Sequence, residues 1–115
     1  MTQSNTTVWA QIRMPGFHAW PEPSAHRDYL GDRHRHMFHV QARVPVMHDD
    51  RDIEFHDLMD VMRAYWPENG EWGGCSCEMI AEAYAGMLIA RFAVDWAEVD
   101  VSEDGEAGAT VRLQQ

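Results

Sequence analysis

From Thr7 to Met14 the chain alternates: Val8, Ala10, Ile12 and Met14 fall on one side, and Trp9, Gln11 and Arg13 on the other. A period of two predicts a half-buried strand, ended or bulged at Pro15-Gly16. The stretch "WPEPSAHRDYLGDR" reads as a proline-bearing loop. A second alternation runs over 34–46, with Phe38, Val40, Ala42, Val44 and Val46 on one face and His34 and His36 in the same parity. "HDDRD" makes a turn, and from Ile53 the period lengthens to that of a helix. Phe55, Leu58, Met59, Met62, Tyr65 and Trp66 form one stripe, stopped by Pro67. After the loop "ENGEWGG", Ser76 can cap a second helix with the stripe Cys77, Ile80, Ala81, Tyr84, Met87 and Leu88. Two short strands, 96–103 and 107–113, close the chain around the hairpin signal Asp104-Gly105.

The predicted order is ββααββ, without repeats or linkers. Adjacent helices between two strand pairs predict an α+β domain over 1–115, in which both helices pack on one face of an antiparallel four-stranded sheet. A chain of 115 residues can bury a core without disulfides. Cys75 and Cys77 stand too close together for an ordinary disulfide, and no stretch reads as a membrane span or signal peptide, so a cytoplasmic protein is expected. A formal charge of −10 repels phosphate backbones and anionic lipid, which argues against nucleic acid and membrane as partners.

Seven histidines in so short a chain ask for a reason. On a strand, residues i and i+2 point to the same side, so His34 and His36 project together. They form either a solvated surface patch or two ligands of one metal ion. Zinc accepts imidazole nitrogen, and catalytic zinc sites offer three protein ligands and an open position. The third ligand has two candidates, His18 past the end of the first strand and His26 in the loop. His39 has the opposite parity and should face away, while His48 and His56 read as exposed. Ala97, Val99, Val101 and Glu103 share a face of the third strand. Glu103 is then either solvated at the strand end or an anchor for a ligand with adjacent N–H donors, since a carboxylate accepts two parallel hydrogen bonds.

In order, the segments "FHAW", "HRHMFHV", "IEFHDLMDVMR", "CSCEMIAEAYAGML" and "VDVSEDGEAGA" span nearly the whole chain. Together they resemble the 6-pyruvoyl-tetrahydropterin synthase and 6-carboxytetrahydropterin synthase family, with "HRH" where the family has "HGH". The resemblance implies the tunnelling fold, homo-oligomeric assembly through the sheets (a hexamer or tetramer), and a zinc ion held by three histidines. It implies that His34 and His36 are zinc ligands and that Glu103 grips a pterin ring at a subunit interface. It favours His18 as the first ligand: it stands 16 residues before His34, near the family's gap, and His26 only eight.

Two departures bear on chemistry. The family's catalytic cysteine position is Leu30 here, and the loop that carries its Asp-His pair is shortened to "PENGEWGGCSC". Substitutes are Asp32 or Asp28 as a general base, and Cys75 or Cys77 as a thiolate at a helix N-terminus. Against the thiolate stands a simpler reading of Cys77 as a small core residue. The resemblance thus implies a zinc-dependent, lyase-type enzyme acting on a reduced pterin, tied to 7-deazaguanine (queuosine-type) biosynthesis. The alternative is a non-catalytic pterin- or purine-binding module of the same fold. A third class is an acidic interaction protein without a metal.

Overall fold

The computed structural model describes residue 2 and residues 4–115. Strand β1 (Thr7–His18) pairs antiparallel with β2 (His34–Pro45), from Thr7 opposite Pro45 to His18 opposite His34. After helices α1 (Phe55–Tyr65) and α2 (Cys77–Phe92), β3 (Trp96–Glu103) adds to the other side of β2, and β4 (Ala107–Gln114) pairs with β3. The sheet order is β1-β2-β3-β4, all antiparallel. No helix among the described residues is long and apolar enough to cross a membrane.

The inward parity of the strands meets the helices. Phe38, Val40, Ala42 and Val44 from β2, and Ala97, Val99 and Val101 from β3, are fully buried. Against them lie Leu58 and Met62 of α1 and Ile80, Ala81, Tyr84 and Leu88 of α2, each also fully buried. Burial of a side chain of Leu or Met size contributes about 1.5–3 kcal/mol, so this layer carries much of the stability. Two stripe residues fall outside it: Phe55 and Tyr65 are exposed at the ends of α1. The Glu54 carboxylate caps α1 by accepting from the N–H groups of His56 and Asp57, and the Ser76 hydroxyl caps α2 by accepting from Met79. At the other end of α1, the Met62 carbonyl accepts from the buried Tyr84 hydroxyl at 2.8 Å, while Trp66 N–H turns to Arg63 instead.

The expected end or bulge at Pro15-Gly16 is not there. β1 runs through both residues, and His18 is its last residue. Proline is tolerated because β1 is an edge strand, where a missing N–H on the outer side breaks no ladder bond. The segment 66–75 takes over that outer edge. Trp66 Nε1 donates to the Pro15 carbonyl, Phe17 N–H to Gly70, Trp72 N–H to the Phe17 carbonyl and Ala19 N–H to Gly73. The shortened loop is thereby laid along β1 beside His18. The residues that precede β2 form a short 3-10 segment (Ala25–Gly31).

Candidate metal centre

His18 closes β1 and His34 opens β2 directly opposite it, with His36 two residues further on the same face. Their ring centroids stand 4.6 Å (His18–His34), 5.4 Å (His18–His36) and 5.0 Å (His34–His36) apart. Glu103, at the end of β3 opposite Phe38, reaches the same point. One ligand atom from each of His18, His34, His36 and Glu103 lies within 4.8 Å of the others. Phe38 forms the floor, edge-on to the His18 and His36 rings at centroid distances of 5.1 and 5.6 Å.

Each imidazole is fixed through its other nitrogen. His18 Nδ1 donates to the Cys75 carbonyl at 2.9 Å, and His34 Nδ1 to the Asp32 carbonyl at 2.8 Å. His36 Nδ1 meets the Asp104 carboxylate at 2.8 Å. A carbonyl can only accept, so Nδ1 of His18 and of His34 carries the proton, and in the neutral ring Nε2 carries the free lone pair. This is how metal-ligating histidines are held in their tautomer and orientation.

The Nε2 side is left wanting a cation. His18 is buried, and its Nε2 has no aligned hydrogen-bond partner although Glu103 Oε2 stands only 2.8 Å away. A neutral His18 would thus press a lone pair against a carboxylate oxygen, which is unfavourable unless a positive charge sits between them. Glu103 Oε2 is also 3.5 Å from His36 Nε2. Around a tetrahedral ion with bonds of about 2.0–2.1 Å, neighbouring donors stand roughly 3.3 Å apart, and the three imidazoles gather within reach of one such ion. Three imidazoles fit zinc as a donor set, with the remaining position facing Glu103.

Asp104 and the Cys75 carbonyl were not foreseen. Asp104 sits at positive φ (58°) followed by Gly105 (72°), the pattern of a type I′ hairpin turn. Its N–H donates to the Met37 carbonyl, one carboxylate oxygen accepts from Met37 N–H at 3.0 Å, and the other faces His36. The His36 hydrogen bond, then that of Met37, holds the Asp104 carboxyl below the usual carboxylate range. The Asp-Gly pair announced a turn, but only the register of β2 against β3 shows that the turn brings a carboxylate to His36.

The remaining candidates lie elsewhere. His26 and Asp28 are exposed on the 3-10 segment, outside the histidine group. Asp32 orients His34 through its backbone carbonyl, and its carboxylate is not part of the group. Cys77 is buried at the start of α2; burial first, then the Glu103 and Glu78 carboxylates, push its thiol up to about 12. That places Cys77 as a neutral core thiol and speaks against the thiolate role. His39 faces the other side of the sheet, toward Gln11, and His48 and His56 are exposed. A cavity of about 720 Å³ opens beside the histidines, bounded by Trp20, Leu30, His34, Cys77, Met79 and Glu103.

A four-stranded antiparallel sheet with both helices between its second and third strands is the tunnelling fold. Solved structures share it over nearly the whole chain. 6-Pyruvoyltetrahydropterin synthase from Plasmodium vivax matches with a TM-score of 0.71 at 15% identity, covering 98% of this chain and 100% of that one. A catalytic-residue variant of the same enzyme gives the same values. A candidate dihydroneopterin aldolase from Vibrio cholerae matches with a TM-score of 0.65 at 15% identity, with the same coverage. No family model and no curated protein matches the chain by sequence. The resemblance in the ordered motifs is therefore met at the level of fold.

Proposed function

We propose that the chain is a zinc-dependent protein of pterin metabolism. In this reading His18, His34 and His36 hold the ion, and the adjoining cavity holds a reduced pterin. The observation that carries it is the fixing of all three rings through Nδ1, with Nε2 of His18 and of His36 turned toward Glu103. A bound zinc ion would supply Lewis acidity toward side-chain oxygens of the ligand. Glu103 would accept from adjacent N–H groups of the ligand's ring. The solved neighbours are named as pterin enzymes, which supports a pterin-related role; the finer form of the proposal is a 6-carboxytetrahydropterin synthase-like, lyase-type enzyme of 7-deazaguanine (queuosine-type) biosynthesis. A cytoplasmic homo-oligomer, hexamer or tetramer, completes the proposal, since pairing through the free edge of β4 would cover its unpaired backbone groups.

The second reading, a pterin- or purine-binding module without turnover, draws on Cys77 as a neutral thiol and on Asp32 contributing only its carbonyl. Mass spectrometry of zinc-loaded chain incubated with 7,8-dihydroneopterin triphosphate separates the two: a new product supports the enzyme, and bound but unchanged ligand supports the module. Calorimetry with Glu103→Gln tests the ring grip. The expected result is at least about a tenfold loss of pterin affinity with zinc retained. Equal pterin affinity in wild type and variant would contradict it. Molar mass in solution tests the assembly, and a monomer would overturn it.

A further inference from the structure

Glu103 faces two partners at once. Its Oε2 stands 2.8 Å from His18 Nε2 and 3.5 Å from His36 Nε2, and one carboxylate oxygen belongs with a nitrogen of each histidine to a group spanning 4.8 Å. The same side chain is 35% exposed and lines the cavity of about 720 Å³ beside the histidines. All four residues belong to one chain, so the meeting of carboxylate and imidazoles needs no neighbouring subunit.

His18 ties the carboxylate to the ion. Its Nδ1 donates to the Cys75 carbonyl, so the neutral ring turns a lone pair outward at Nε2. That buried nitrogen has no aligned hydrogen-bond partner. Two lone-pair-bearing atoms 2.8 Å apart repel unless a cation lies against both. Zinc takes carboxylate oxygen as it takes imidazole nitrogen, and four donors complete its usual shell.

The backbone beneath Glu103 is fixed. Asp104 N–H donates to the Met37 carbonyl at 2.8 Å, the Asp104 carboxylate accepts from Met37 N–H, and the Glu103 carbonyl accepts from Glu106 N–H at 3.0 Å. A change of partner for the carboxylate is therefore a rotation of the side chain alone. Room for it comes from Ala107, opposite Glu103 in β4, and from Gly108, both on the cavity wall.

Resting on the metal and pterin reading above, we infer that Glu103 exchanges between the ion and the ring. With the cavity free it is the fourth metal donor beside His18, His34 and His36. When an N–H-rich ring is seated, the carboxylate leaves the ion and accepts two parallel hydrogen bonds from the ring. Recognition of the ring thereby opens the metal's fourth position, and a compound without such a ring leaves the centre closed.

Cobalt(II) in place of zinc in the full chain reports the donor set by its visible absorption, and chelator competition reports zinc affinity. The probe is unsubstituted pterin, a ring without side-chain oxygens, with its binding followed by calorimetry. Before pterin is added, Glu103→Gln, shown folded by circular dichroism, should bind zinc at least about tenfold more weakly and show a shifted cobalt spectrum. Saturating pterin should move the wild-type spectrum toward that of the pterin-free variant and leave the variant's own spectrum in place. A wild-type spectrum unmoved by bound pterin overturns the exchange and leaves the pterin reading standing. Equal zinc affinity and identical spectra in variant and wild type overturn the fourth-donor role. An equal pterin-induced shift in the variant shows the ring itself on the ion, and overturns the exchange too. A wild type that takes up neither metal, or binds no pterin, overturns the reading beneath, and the inference with it.

Discussion

Gly16→Ala probes how the core sets the metal centre. Gly16 lies opposite His36 in the β1–β2 ladder, and a Cβ there would come 2.7 Å from Trp66 Cζ2 and 3.0 and 3.1 Å from two ring carbons of Phe38. Carbon atoms rest at about 3.5–4.0 Å, so one ring must retreat by roughly 0.8 Å. Neither has room to do so. Phe38 is fully buried against His18 and His36, and Trp66 is anchored by its Nε1 bond to the Pro15 carbonyl at 3.0 Å.

Overpacking of this kind costs about 1–3 kcal/mol, offset by about 0.4–1 kcal/mol because alanine restricts the unfolded chain. The net loss of roughly 0.5–2 kcal/mol corresponds to a fall in Tm of roughly 2–10 °C for a domain of this size. Because the displaced Phe38 ring supports two of the three imidazoles, zinc affinity measured by chelator competition should fall about tenfold or more. In a Trp66→Leu background the same substitution should cost less, a coupling of about 0.5 kcal/mol or more in a double-mutant cycle. An unchanged Tm and zinc affinity, or strict additivity with Trp66→Leu, would refute the reasoning.

Tyr84→Phe removes the donor to the Met62 carbonyl and should lower stability by about 1–3 kcal/mol in urea unfolding, because that carbonyl is left unpaired in the core; a neutral result would show that water replaces the hydroxyl. Asp104→Gly keeps the positive-φ turn but unties His36, and should weaken zinc binding about 10–100-fold by chelator competition; unchanged affinity would show that the tether is dispensable. The Cys77 thiol ionises near 9.0 when exposed and only at about 12 in the folded chain, so folding should lose stability as pH rises from 9 toward 12 and not in acid. Cys77→Ala should flatten that alkaline loss in denaturation curves, and native Cys77 should resist iodoacetamide at pH 8; rapid native alkylation would contradict its placement.

The strands were legible because their period of two is a local property, and so was the pairing of His34 with His36 on one side. Preferring His18 to His26 beside His34 and His36 needed the family's spacing, and the gathering of the three rings itself needed the fold. A proline usually ends a strand, but here the edge position of β1 spares it, and edge position is a tertiary fact. The carbonyls of Cys75 and Asp32 are invisible to any pattern of side chains. Asp104 advertised itself as a turn residue, and only the register of three strands puts its carboxylate beside His36. Cys77 illustrates the converse. Its place in the apolar stripe was readable and correct, while its proximity to a helix N-terminus suggested a reactivity that burial and two neighbouring carboxylates oppose.

The most direct test of the three-histidine centre is metal analysis of the purified chain by mass spectrometry, beside a His34→Ala, His36→Ala variant shown by circular dichroism to be folded. The expected result is close to one zinc ion per wild-type chain and almost none in the variant. A folded wild type that takes up no stoichiometric zinc when the ion is supplied, or a variant that retains as much as the wild type, would contradict the account.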